Sequence, residues 1–198
     1  MSQSLMNTDS EIGSPMAINS VPMSNPDFNK ISFACFILMA VGLSLDMMKK
    51  SLITTSNEED SMKKSWLITV QTTTITVISL FILSVSSLVF GDYLASLPML
   101  LLTVVLMGKL GMYYFFKNQM TKYPLPDMYD NFNYASNGLF ALIMITLYNY
   151  SKTAFMKTSE NMNKTSGLRI LLILFSLIYS VVNFGIIFTI LNNFLTEG

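Results

Sequence analysis

The chain contains no histidine, one cysteine, one tryptophan and few charges. Histidine is the commonest general base and metal ligand. Its absence removes zinc proteases built on His-Glu-x-x-His, His-ligated di-iron and haem proteins, and Ser-His hydrolases. With Cys35 alone there is no intrachain disulfide. Twelve basic residues balance twelve acidic ones, so no global field draws nucleic acid toward the chain. No positive side chain precedes Lys30, which fits neither a secretory signal nor a transit peptide, and Ser2 excludes myristoylation. Only carboxylates, lysines or serines remain for catalysis. The expectation is a non-enzymatic protein with no catalytic, cofactor or metal site.

What is present is apolar. Hydrophobic residues make up 52% of the sequence and charged residues 12%, against about a quarter charged in an average soluble domain. The stretch from Trp66 to Phe116 holds two runs, 66–90 and 97–116, broken only near Gly91 and Asp92. Each is long enough for a hydrocarbon core of about 30 Å, which takes roughly 20 apolar residues. A first span is expected over 31–48 and a last over 168–195. Leu139 to Tyr148 is a shorter run, giving a fifth short helix over 134–150 that dips into or crosses the bilayer. The fold class is therefore an all-α polytopic membrane bundle over 29–198, preceded by a flexible polar tail over 1–28.

Local signals place the helix ends. Asn25-Pro26 reads as an N-cap with proline at the first helical position. Thr55 with Glu58, or Ser56 with Glu59, has capping-box spacing and starts the second helix near Asn57. Ser96 and Pro98 mark the start of the third. The segment from Lys117 to Asn133, with its interleaved aromatics, is expected to lie as a loop on the headgroups. Asp127 and Asp130 there suit helix capping better than a metal site.

Several polar groups fall within the runs. Ionisable residues at membrane depth call for a partner. The first and third spans run the same way, so Asp46 and Lys109 are expected to form an intramembrane ion pair. The second span carries a stripe of Thr69, Gln71, Thr72, Thr73, Thr74 and Thr76; threonine hydroxyls bond back to their own helix, while Gln71 bonds to a neighbour. Ser176, Ser180 and Asn183 share one face of the last helix and are expected to glue it to the bundle. Ala40 and Ser44 offer a small face for close approach. Two lysine pairs, Lys49-Lys50 and Lys63-Lys64, bracket one loop and mark lipid headgroups.

Four crossings are expected: the fifth segment then does not cross, ten basic residues lie on one side against Lys30 on the other, and the positive-inside rule puts both termini outside. If it crosses, the balance is six to five. The sequon Asn163-Lys164-Thr165 is usable only from a lumenal loop. In size, methionine content and lack of histidine the chain is similar to the sixth chain of mitochondrial NADH dehydrogenase. Met107-Gly108-Lys109-Leu110-Gly111-Met112 departs from the Gly-Ala-rich third helix of that family, which excludes it. In composition the chain resembles small polytopic proteins of the internal membranes of large DNA viruses, a likeness of type without a motif; an organelle complex is equally compatible. The function expected is a structural or assembly component, in contact with lipid and with other membrane proteins or a second copy. The alternative is a small channel or carrier subunit using the threonine stripe.

Overall fold

The computed structural model describes residues 26–54, 57–89, 93–154 and 159–197. These form six helices: α1 (Pro26–Leu52), α2 (Glu58–Val89), α3 (Tyr93–Phe115), α4 (Lys117–Lys122), α5 (Asp127–Ala154) and α6 (Ser159–Glu197). Among the described residues there is no strand. Four helices (α1, α2, α3 and α6) are long and apolar enough to cross a membrane.

Helix boundaries follow the local chemistry. α1 begins at Pro26, where the missing N–H breaks no helical bond. Residues 1–25, most of the expected tail, lie outside the described residues, as do Thr55 and Ser56. Asn57 caps α2, its Oδ1 accepting the Glu59 N–H at 3.1 Å, and Glu58, Glu59 and Asp60 follow in the first turn, where acids suit the helix dipole. α3 starts at Tyr93, ahead of Ser96 and Pro98. Pro98 is the sixth residue of α3 and lies inside it, so its missing N–H forgoes one helical bond, to the Leu94 carbonyl. The expected loop after Lys117 is instead α4 followed by the start of α5.

The fifth element departs most from expectation. α5 has 28 residues, about 42 Å at 1.5 Å per residue, and runs the length of the bundle. Against α6 its neighbours descend: Phe132 meets Gly185, Ser136 meets Asn183, Phe140 meets Tyr179 and Tyr150 meets Arg169. Against α1, Asp130 meets Lys50, Asn137 meets Asp46 and Tyr148 meets Phe36. α5 is thus antiparallel to both. The long helices alternate in direction, so Pro26 and Glu197 sit at opposite ends. One end, here the proximal end, gathers Lys50, Trp66, Tyr113, Phe116, Asp130 and Phe194.

Two apolar clusters fill the interior. The larger joins Met39, Leu80, Leu102, Ile143 and Leu172 from all five long helices. The smaller, toward the proximal end, joins Val70, Tyr113, Phe116, Tyr129, Ile186 and Ile190. Outward faces are also apolar, with Phe33, Phe81, Val104, Ile145 and Val181 all exposed, as expected where the surroundings are lipid tails.

Close helix approach is local. A Cβ on Gly42 would lie 3.5 Å from the Thr72 carbonyl oxygen, so α1 and α2 touch there, whereas Ala40 and Ser44 face outward. Ser84 and Ser96 hold α2 against α3 reciprocally: their hydroxyls lie 3.0 Å apart and each also donates to the other's carbonyl. A Cβ on Gly185 would meet the Phe132 ring at 2.9 Å, while one on Gly138 would meet nothing within 4 Å. Gly185→Val should therefore destabilise the bundle by about 1–3 kcal/mol through overpacking. Gly138→Ala should leave the melting temperature in detergent unchanged or raised, by relief of glycine's helix penalty.

Candidate functional site

The inward stripe of α1 recurs at Ser32, Cys35, Phe36, Met39 and Gly42 and continues to Asp46 and Lys49. A helix repeats every 3.6 residues, so these two charges are carried into the interior by the same periodicity that buries Met39. In α3 the stripe Leu102, Leu106 brings Lys109 inward, in α2 it brings Thr69, Thr72, Thr73 and Thr76, and in α5 it brings Asn133, Ser136 and Asn137. Asp46, Lys49 and Lys109 are 9%, 6% and 4% exposed, which makes them interior groups. Together with Asn183 of α6 they form a polar layer between the two apolar clusters.

Asp46 is its hub. Its Oδ2 accepts Asn137 Nδ2 at 2.7 Å and Asn133 Nδ2 at 3.5 Å. Its Oδ1 accepts Thr69 Oγ1 at 3.3 Å and Lys49 Nζ at 3.4 Å. Lys49 Nζ also donates to Thr69 Oγ1 at 3.1 Å. Lys109 Nζ reaches Asn133 Oδ1 at 3.5 Å and faces the Tyr113 ring at 5.7 Å. The expected Asp46–Lys109 ion pair is therefore absent among the described residues. Asn133 stands between them, donating to the carboxylate and accepting from the ammonium, and the direct charge partner of Asp46 is Lys49.

Two cavities adjoin this layer. A chamber of about 30 Å³ is lined by Gly42, Asp46, Lys109, Asn137, Tyr179 and the four inward threonines, enough for two or three waters at roughly 10–15 Å³ each. Thr72 and Thr73 donate to the Thr69 carbonyl and Thr76 to the Thr72 carbonyl, at 3.1, 2.7 and 2.9 Å. With their hydrogens committed to the helix, these oxygens offer lone pairs to the chamber. Beyond Thr69 and Lys49 a vestibule of about 410 Å³ lies at the proximal end, walled by Trp66, Tyr113, Tyr123, Tyr129 and Leu125, with Lys50, Glu58 and Asp130 among its lining. Trp66 Nε1 donates to the Tyr113 carbonyl at 3.1 Å, and Lys117 lies 4.9 Å over the indole.

The remaining sequence-based site residues divide. Asn183 is fully buried and does join helices: its Nδ2 donates to Ser136 Oγ at 3.1 Å and to the Tyr179 carbonyl at 2.9 Å. Ser180 donates to the Ser176 carbonyl within α6, and Ser176 Oγ is buried with no hydrogen-bond partner, so neither side chain bridges helices. Gln71 is exposed, one position off the inward threonines, and glues nothing within the bundle. Of the four headgroup lysines, Lys49 is interior. Lys50 pairs with Asp130 at 2.7 Å, Lys63 pairs with Glu59 at 2.8 Å, and Lys64 is exposed. Asn133, Ser136 and Asn137 were not expected, although their i, i+3, i+4 spacing marks one helix face. Among the described residues no three His, Cys, Asp or Glu side chains converge on a metal position.

Removing the hub carboxylate leaves Lys49 and Lys109 buried without a counter-charge, so Asp46→Asn should lower unfolding stability in detergent by about 3–5 kcal/mol. Asn183→Leu should cost about 0.6–2 kcal/mol, as for an interhelical hydrogen bond. Gln71→Leu and Phe188→Leu, both outward-facing, should change stability by no more than about 0.5 kcal/mol.

Comparison with protein-family models, with curated proteins and with solved structures finds no match to this chain.

Proposed function

We propose that this chain is a non-enzymatic, multi-pass structural or assembly component of a membrane or membrane-attached complex, crossing the bilayer five times. The observation that carries this reading is the Asp46 hub. Its four hydrogen-bond donors lie on α1, α2 and α5, so the most costly polar group in the interior holds helices together. Asn183–Ser136 and Ser84–Ser96 do the same across α5–α6 and α2–α3. The outward apolar faces suit lipid and the helix surfaces of other membrane proteins or a second copy. An organelle complex and the internal membrane of a large DNA virus both accommodate such a component.

The fifth crossing is supported by α5 itself. From Asn131 to Ser151 it holds no Asp, Glu, Lys or Arg, which at 1.5 Å per residue covers about 30 Å, the thickness of a hydrocarbon core. Its polar residues Asn133, Ser136 and Asn137 turn inward, and its outward positions include Leu142, Ile145 and Tyr148.

A second reading, a small channel or carrier subunit, is favoured by one observation: the vestibule and the threonine-lined chamber adjoin at Thr69. Purification in mild detergent with mass measurement separates the two. A stoichiometric larger partner supports the assembly role, and a homo-oligomer that passes ions in liposomes overturns it.

Topology has its own test. In a Cys35→Ala background, single cysteines at Thr54, Lys152 and Thr196 are challenged with an impermeant thiol reagent on sealed vesicles. Thr54 and Thr196 should label from one face and Lys152 from the other. Lys152 labelling together with Thr54, and Thr196 from the opposite face, would return the four-crossing arrangement.

A further inference from the structure

The vestibule has a use that the assembly role leaves unassigned. Its volume, about 410 Å³, falls within the 300–1,000 Å³ usual for small-molecule sites. Its wall is aromatic and apolar, with Trp66, Tyr123 and Leu125, and its floor is charged. Within the polar layer beneath it, Lys49 and Lys109 face the single carboxylate of Asp46, a formal surplus of one positive charge among side chains at least nine-tenths buried. At the rim Lys50 and Asp130 neutralise each other at 2.7 Å. Glu58 lies exposed at the outer lip, where water screens it, while the buried ammonium acts across a medium of lower dielectric. An ammonium has three donors. Asp46 and Thr69 take two from Lys49 at 3.4 and 3.1 Å, which leaves a third for the vestibule that Lys49 lines.

We propose that the vestibule binds a phosphate ester, its anionic phosphate over Lys49 and its organic body against Trp66 and Tyr123. Lys49 in the floor, with the surplus positive charge of the layer beneath it, selects an anion over the cations that an aromatic wall alone would admit. Lysine is a common phosphate ligand, acting as a point charge. With the bundle in a bilayer, as the five-crossing reading has it, Trp66, Tyr114 and Tyr123 form the interfacial aromatic belt at this end, and the vestibule opens at the height of lipid phosphates. The ligand is therefore a phospholipid headgroup or a free phosphate ester, which share the group that Lys49 reads. The site is independent of the assembly role: failure to capture a protein partner leaves it standing, and failure to bind a phosphate ester leaves the assembly role standing.

Trp66 is the only tryptophan, so intrinsic fluorescence reports from the wall of the site. The full chain in an uncharged detergent is titrated with dihexanoyl phosphatidic acid, with inorganic phosphate and with hexanoate. The lipid phosphate should give a saturable change, weakened at least tenfold in Lys49→Met and unaltered in Lys64→Gln, which changes an exposed lysine outside the vestibule. Competition by inorganic phosphate would identify the phosphate group alone as sufficient and a free ester as the source; saturation by the lipid alone would identify the bilayer. Ser65→Phe, which fills the vestibule from α2 and leaves the polar layer intact, should abolish saturation with the melting temperature retained, and decides the matter if Lys49→Met does not fold. A response that does not saturate, equal affinity for hexanoate, or saturation unchanged in Ser65→Phe would overturn the proposal.

Discussion

Three charged side chains buried within about one helical turn of each other constrain this bundle more than any apolar contact does. An isolated charge in a low-dielectric interior is destabilising by several kcal/mol, and Asp46, Lys49 and Lys109 can be tolerated only with donors and acceptors supplied from elsewhere. Thr69 comes from α2 and Asn133 and Asn137 from α5, so α1, α2, α3 and α5 must hold one axial register for the layer to close. Asn183 extends the layer to α6 through Ser136. Leucine and isoleucine packing tolerates a helix sliding by part of a turn; a layer of directional hydrogen bonds does not.

The rest of the interior is consistent with a bundle whose exterior is as apolar as its core. In water, the exposed Phe33, Ile37, Phe81 and Val181 would be a liability; between lipid tails they are neutral, and helices associate through packing and polar contacts. The places of closest approach are accordingly small or hydroxylated: Gly42 against Thr72, Ser84 against Ser96, Gly185 against Phe132. Most buried threonines bond to their own helix, at Thr72, Thr73, Thr76 and Thr103, which satisfies the hydroxyl without requiring a neighbour.

Hydropathy made the four long apolar helices legible, and cap chemistry located Pro26 and Asn57. Counting apolar residues underestimated the length of α5 because its inward side is polar: Asn133, Ser136 and Asn137 interrupt the run and leave only Leu139 to Tyr148. The uncharged stretch 131–151 follows the observed helix more closely than the apolar run does. The same omission misassigned Lys109. Asp46 and Lys109 lie at one level of the bundle, both reaching Asn133, yet the amide that separates them lies on α5. Lys49 and Lys50 adjoin in sequence, but a helix turns about 100° per residue, so one is interior and the other reaches Asp130. Gln71 fails for the same angular reason, beside threonines that point inward.

The order of these residues along the chain has a consequence for biogenesis. In a bilayer threaded from its N-terminal side, Asp46 and Lys49 arrive on α1 as a ready-made pair, and Thr69 joins them on α2. Lys109 then enters on α3 while Asn133 is still 24 positions away. Until α5 is made, Lys109 lacks its Asn133 acceptor and Asp46 lacks the two amide donors of Asn133 and Asn137, so the first three helices hold the layer incomplete. α5 then supplies the amides that complete the hydrogen bonds of both side chains.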